Sequence, residues 1–462
     1  MRGPVTRSKL AGTAPGPLAR RTAAGARHYS LAVDRFVVRS GVPLSGEVRV
    51  QGAKNSALKL MAACLLTEGS TRLSNVPHIV DVEVMSDVLT AIGASVARRD
   101  GAASGDDCVT RTGPELVVTV PERCTPIAPY ELVEKMRASF VVLGPLIARH
   151  GVARVSLPGG DDFGHRPIDM HLRALAALGA EFGTEHGYVE GRCGRLTGAR
   201  VVLEYPSHTA TDNVLMAATL AKGTTVIENA ACEPEVQDLA ALLVEMGARI
   251  SGAGTSRIEV EGVDELRPAT HVTVADRVEA ATFLAAVGLA GGDVHVVGAR
   301  DDHMEMLLAK LSSMGLELEA TGRGIRARSD GRLAPVDVAT LPYPGVATDY
   351  KPLLVTMLSV ASGVSIVSEN LFAGRFRYVD ELRRMGADIR TEGHHAVVRG
   401  VGRLSGAPVR APDIRAGAAL VLAGLAADGE TTVSGAEHID RGYEDLAGKL
   451  RALGADVARA DA

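Results

Sequence analysis

The sequence predicts an α/β protein of two pseudo-symmetric domains, three repeating units in each, with a cleft between them. Three observations lead there. A helix-like run closing on a small-residue signature recurs six times, at Gly93 (LTAIGASV), Gly179 (LAALGAEF), Gly247 (LVEMGARI), Gly315 (LSSMGLEL), Gly386 (LRRMGADI) and Gly454 (LRALGADV). Each copy follows an earlier glycine that opens an apolar strand, at Gly69, Gly151, Gly223, Gly292, Gly363 and Gly429. The chain of 462 residues, 46% of them hydrophobic, also holds enough apolar surface for at least two cores.

The order of elements within a unit follows from these positions. A glycine ending an amphipathic run is the residue after a helix, where a left-handed backbone turns the chain into the next strand. Alternating apolar residues then read as a half-buried strand. Each unit is therefore expected to run strand–helix–strand–helix–strand. Successive signature glycines are 86, 68, 68, 71 and 68 residues apart. From each strand-opening glycine to its signature takes 24, 28, 24, 23, 23 and 25 residues, which makes the second unit the outlier. Its extra length lies in the loop that starts Pro158-Gly159-Gly160-Asp161-Asp162 and enters a helix near His171. An insertion in one of six equivalent loops, dense in glycine, proline and ionisable side chains, marks where chemistry is expected.

Composition excludes several classes of function. Lys+Arg 50 against Asp+Glu 55 argues against a nucleic-acid binder or a polybasic membrane binder. With no Trp and only 3% aromatic residues, a base-stacking platform is not expected. Five cysteines, at 64, 108, 124, 193 and 232, form no CxxC pair and read as reduced cytoplasmic thiols, not as disulfides or a zinc site. Residues 1–33 are rich in Arg, Ala, Gly and Pro, lack an apolar signal core, and are expected to be a disordered extension. No apolar run approaches the length of about 18–20 residues that a membrane span needs.

Besides the loop, six segments stand out: Gly52-Ala-Lys-Asn-Ser-Ala57, Glu131-Leu-Val-Glu-Lys-Met-Arg-Ala-Ser139, Thr348-Asp349, Gly374-Arg-Phe-Arg377, Asp413-Ile-Arg415 and His438-Ile-Asp-Arg-Gly-Tyr443. With them, from about residue 34 to the end, the chain resembles the UDP-N-acetylglucosamine (UDP-GlcNAc) enolpyruvyl transferases of the EPSP synthase-like superfamily. The resemblance implies two inside-out α/β domains, residues 34–53 with 274–462 and residues 54–273. The second would carry the active-site loop 158–167, and the two would close over phosphoenolpyruvate and UDP-GlcNAc. It implies no metal or organic cofactor.

Residue by residue, the resemblance competes with plainer readings. Lys54 is either a solvated lysine or, at a helix start where an unaccompanied cation is disfavoured, a clamp for the phosphate of phosphoenolpyruvate. Asn55 would bond substrate beside it. Arg137 is a surface arginine or a bidentate phosphate ligand. Arg166 is a phosphate clamp or a partner of Asp161 or Asp162. The backbone from Arg166 through Pro167, Ile168, Asp169 and Met170 is implied to read the nucleotide, although Asp169 also suits a helix cap. Ser207 and Leu371 are implied acceptor contacts. Asp349 is an N-cap or, by resemblance, the general base at the sugar 3′-hydroxyl. Arg375, Arg415 and Arg441 are surface ion pairs or ligands of the carboxylate and loop. Glu233 matches a family position to which no role is assigned.

Three departures qualify the resemblance. Asp161 stands where most members carry the cysteine that acts as general acid at C3 of phosphoenolpyruvate. A carboxyl in that role needs its pKa raised well above about 3.9, which Asp162 and desolvation favour and Arg166 opposes. Since fosfomycin alkylates the thiolate, resistance to it is expected. His208-Thr209 replaces Val-Gly, and Tyr350-Lys351-Pro352 replaces a Gln-rich stretch. The expected reaction is addition–elimination with Asp161 as acid, Asp349 as base and Lys54, Arg137, Arg166, Arg375 and Arg415 positioning anions. The alternatives are a paralogue acting on another nucleotide and a non-catalytic UDP-GlcNAc-binding regulator.

Overall fold

The computed structural model describes residues 34–99, 115–160, 167–372 and 374–461. The extension expected at residues 1–33 lies outside them, as do Cys108, Asp161, Asp162 and Arg166. The described residues belong to one compact unit, Val33–Ala462.

Helices make the interior and sheets make the outside. Lys54–Ala63, Leu143–His150 and His208–Ala218 sink into one apolar cluster that runs from Ala57 to Leu266. Arg277–Ala290, Lys351–Leu358 and Ile414–Leu425 sink into a second, which combines Phe36–Val50 with Val278–Val457. Every residue of Lys351–Leu358 and of Ile414–Leu425 is buried. A helix apolar all round is stable only when enclosed. Thus the fold is inside-out α/β.

Among the described residues, six four-stranded sheets with one pairing order lie around these helices. In the second unit Ile127–Ala128 runs parallel to Val152–Ser156, which is antiparallel to Tyr188–Arg192, itself antiparallel to Glu181–Glu185. Each unit thus holds one strand more than expected, because its last strand is a hairpin. The turn His186-Gly187 takes positive φ at both residues, +50° and +80°, as tight hairpins require. The first arm is mostly exposed, and in the second only Val189 and Gly191 are buried, too short a pattern to mark a further strand.

All six signature glycines take left-handed backbone, with φ from +90° at Gly386 to +115° at Gly93. A side chain there would be strained, which explains why the signature keeps glycine. Three units complete their sheets with distant strands, the last of them with Arg35–Arg39 between Glu430–Ser434 and Asp456–Ala460. Leu44–Arg49 pairs with Gly292–Val297, and Thr270–Val272 pairs with Gly69–Ser74. Between these strands the chain passes from one cluster to the other twice, and the two passages are tied together. Ala53 N donates to Val274 O (2.6 Å) and Asp276 N to Gln51 O (2.7 Å). Among the described residues no helix is long and apolar enough to cross a membrane.

Candidate active site

The buried helices deliver their N-terminal ends to one cleft. Lys54 and Asn55 open the first, His208 and Thr209 open another, Arg415 lies in the first turn of a third, and Asp349 sits just ahead of a fourth. Helix N-termini carry unpaired N–H groups and partial positive charge, so this convergence suits an anion. The cleft has a volume of about 210 Å³. Among the described residues, six cationic side chains (Lys54, Lys59, Arg137, Arg375, Arg415, Arg441) and three acidic ones (Asp81, Asp349, Asp413) line it. That surplus fits a ligand with several negative groups.

The acids hold the cations in place. Asp81, 1% exposed, lies 2.7 Å from Lys54 Nζ and accepts from Arg441 Nε at 2.8 Å. Burial alone would raise the Asp81 pKa, but Lys54 and Arg441 outweigh it and hold the carboxyl below its ordinary value. Burial lowers Lys54; Asp81 pulls it back, Arg415 and Arg441 add to the lowering, and it rests below the usual lysine value. Asp276 caps the helix Arg277–Ala290 and also accepts from the Lys54 backbone N–H at 3.2 Å.

Asp349 faces two arginines, with Arg375 Nη1 at 2.7 Å and Arg415 Nε at 3.6 Å. Burial would raise its carboxyl, yet Arg375 and Arg415 hold it far below the carboxylate range. Arg375 is in turn backed by Lys351, whose ammonium donates to the Arg375 carbonyl (2.6 Å) and pairs with Glu369 (2.8 Å). Lys351 and Glu369 are both 0% exposed. Glu369 also accepts from the hydroxyls of Thr340 and Thr348 and from the N–H groups of Leu371 and Phe372. The Arg415 guanidinium lies 5.2 Å from the centre of the Tyr443 ring.

Both described ends of the long loop meet the segment that carries Arg137. Gly160 N donates to Glu134 O at 3.0 Å, and Arg137 Nη2 donates to Pro167 O at 3.1 Å. A Cβ on Gly159 would run into the Glu134 carbonyl, and Gly160 holds φ +99° against the Arg137 backbone. The Gly-Gly pair is needed for that close approach.

A family model described as EPSP synthase (3-phosphoshikimate 1-carboxyvinyltransferase) matches residues 38–450. The UDP-N-acetylglucosamine 1-carboxyvinyltransferase of Anaeromyxobacter sp. (strain Fw109-5) is 51% identical over 92% of this chain and 99% of its own length. The chain belongs to the UDP-N-acetylglucosamine 1-carboxyvinyltransferase family. The relative of that name in Nocardia farcinica is 49% identical over 92% of this chain and 98% of its own. Among solved structures, the enolpyruvyl transferase NikO of Streptomyces tendae superposes with a TM-score of 0.81 at 26% identity, covering 93% of this chain and 99% of that one. An EPSP synthase of Acinetobacter baumannii, at TM-score 0.69 and 19% identity over 92% of this chain and 100% of its own, shares the fold.

In this member of the 1-carboxyvinyltransferase family, Lys54, Asn55, Arg137, Asp349, Arg375, Arg415 and Arg441 all line the cleft. Other expected residues lie around it. Ile168 lines a small adjoining cavity with Arg137 and Thr209. Ser207 caps its helix by accepting from Ala210 N, and Leu371 donates its N–H to Glu369. Met170 lines a separate groove with Arg173 and Glu204, and Asp169 pairs with Arg173 on the surface. Asp161 and Arg166 fall outside the described residues.

Reading the sequence missed Asp81, Lys59 and Asp276. Asp81 carries the ordinary mark of a first-turn acid, and Asp276 that of an N-cap. Lys59 did leave a signal, a lone cation inside the apolar run Leu58-Lys59-Leu60-Met61-Ala62. It lies 3.8 Å from Asp212, whose carboxylate is fully buried with neither oxygen hydrogen-bonded. Burial pushes Asp212 up to about 7; Lys59 opposes, and Glu233 and Glu235 add to the rise.

An acid raised on folding stabilises the native state fully below its unfolded value of about 4, and that stability is lost as pH rises through about 7. At pH 8, Asp212→Asn is therefore expected to be more stable than the parent by on the order of 2–4 kcal/mol. At pH 4 the two should melt alike. Equal melting temperatures at pH 8 would contradict this account.

Proposed function

We infer that the chain transfers the 1-carboxyvinyl group of phosphoenolpyruvate to the 3′-hydroxyl of UDP-GlcNAc with release of phosphate, the entry reaction of peptidoglycan precursor synthesis. The observation that carries this reading is Asp349 seated between Arg375 and Arg415 in a cationic cleft, within a chain about half identical to relatives of that name. In this reading Lys54, Arg137, Arg166, Arg375 and Arg415 hold the phosphate and carboxylate of the donor, and Arg441 shares Asp81 with Lys54. Asn55, Ser207, Leu371 and the backbone Arg166–Met170 contact the acceptor. Asp161 protonates C3, and electrostatic stabilisation by the pocket supports the developing positive charge at C2. Asp349 takes the proton of the attacking hydroxyl. Loss of a C3 proton and of phosphate then restores the double bond. The two buried clusters support a division into domains 34–53 with 274–462 and 54–273, the cleft lying between them. The protein acts on small molecules in the cytoplasm.

Phosphate release by the purified protein tests the reading. It is expected with phosphoenolpyruvate and UDP-GlcNAc together and with neither alone. Release with UMP in place of UDP-GlcNAc would move the acceptor to another nucleotide, and silence with both would favour a regulator. Asp161 gives a second test. The parent is expected to survive prolonged fosfomycin unmodified, whereas Asp161→Cys should gain the mass of the drug and lose activity. An Asp161→Cys protein left unmodified would count against Asp161 as the acid.

A further inference from the structure

The mechanism above makes no use of His208, although its side chain lines the cleft near Asp349. The ring is 21% exposed. Its Nε2 is buried, lacks a hydrogen-bond partner, and faces Asp212 Oδ2 at 3.7 Å, one helical turn on. With Nε2 buried, the exposed part of the side chain is the remainder, and the residue lines the cleft. Behind it, the Asp212 carboxylate is 0% exposed and reaches neither His208 nor Lys59 within hydrogen-bond distance. Buried polar atoms left unsatisfied on a cleft wall call for a partner or a proton. A carboxyl proton on Asp212 would supply both, since it can donate to His208 Nε2 and so place the imidazole N–H on Nδ1. The groups around the residue favour an anion: Lys59, Arg137 and Lys54 line the same cleft, and His208 opens the helix His208–Ala218.

We propose that His208 is a specificity-determining residue of the acceptor side, its imidazole oriented by the Asp212 carboxyl so that one N–H reaches a phosphoryl oxygen of the nucleotide substrate. This rests on the acceptor being a nucleoside diphosphate sugar and names the group by which it is read. The titratable and charged groups facing the pair are Lys59, Glu233, Glu235, Arg277 and Asp349. Burial pushes His208 down to about 3, so the ring is neutral near pH 7 and Asp212 is the member of the pair that changes charge there. A phosphoryl oxygen favours the protonated carboxyl, so binding takes up a proton, and affinity falls as pH rises through about 7.

Calorimetric titration of UDP-GlcNAc into the purified full chain between pH 6.5 and 8.5, with UDP titrated at one pH, tests this. The parent is expected to lose up to about tenfold in affinity per pH unit above 7, with proton uptake seen between buffers of different ionisation heat. Asp212→Asn should bind with affinity independent of pH. His208→Val should bind both UDP-GlcNAc and UDP about tenfold more weakly at pH 6.5. An unchanged affinity for UDP in His208→Val, or a pH dependence that survives in Asp212→Asn, overturns the assignment. Failure of the parent to bind UDP-GlcNAc while binding UDP overturns the proposed acceptor instead, and the UDP comparison still decides His208. Binding of neither ligand by the parent overturns both.

Discussion

Asp349→Asn is expected to lower kcat for phosphate release by about 10³-fold while leaving UDP-GlcNAc affinity within a few-fold. The amide keeps the shape of the side chain and removes the proposed base together with its charge. Without substrate, the carboxylate is engaged by Arg375 at 2.7 Å and Arg415 at 3.6 Å, which makes it a weak base. A donor bearing its own phosphate and carboxylate competes for those guanidinium groups. In the proposed reaction, guanidinium groups that turned to the donor would release the Asp349 carboxylate and raise its basicity. Affinity for phosphoenolpyruvate should hold or rise in Asp349→Asn, because the internal competitor for Arg375 and Arg415 has been neutralised. Steady-state phosphate release together with calorimetric binding of each substrate checks both halves. A kcat within tenfold of the parent would remove Asp349 from the role of base.

The second large effect is on stability. Lys351→Met should destabilise the protein by about 3–5 kcal/mol, since it strands the Glu369 carboxylate in a site with no solvent access. The same substitution removes the ammonium that holds the Arg375 carbonyl, so kcat/KM should fall with stability. Adding Glu369→Gln to Lys351→Met should recover much of the lost stability, because the buried charge disappears with its partner. Chemical denaturation of the parent, both single variants and the double variant gives the coupling energy directly. If Lys351→Met unfolds at the same denaturant concentration as the parent, the pair is not the support described here.

The architecture was legible where one physical requirement repeats. Gly93, Gly179, Gly247, Gly315, Gly386 and Gly454 share a left-handed turn that only glycine takes without strain, so the six units surface as a pattern. The strand after each signature was read, Glu181–Glu185 in the second unit, but its return arm Tyr188–Arg192 carries no such constraint and went unread. In the cleft, arginines inside short motifs (Arg137, Arg375, Arg415, Arg441) were recognisable. Asp81 was not, because its importance comes from Lys54 and Arg441, two residues that meet only after folding. Lys351 was noticed as a departure, but its partner Glu369 lies across a strand, and no spacing rule connects them.

The way the strands are shared has a consequence for synthesis on the ribosome. The apolar cluster from Ala57 to Leu266 is drawn from one continuous stretch, so all its parts are made before any residue beyond Leu266. The other cluster must wait. Arg35–Arg39 is made before that stretch, yet its neighbours are Glu430–Ser434 and Asp456–Ala460, made long after it. Through most of elongation that early strand has both edges unpaired, with Phe36 and Val38 not yet covered, and is open to wrong pairing. The nascent chain therefore completes the cluster from Ala57 to Leu266 first and pairs Arg35–Arg39 only later, and protection by a chaperone would matter most for that strand.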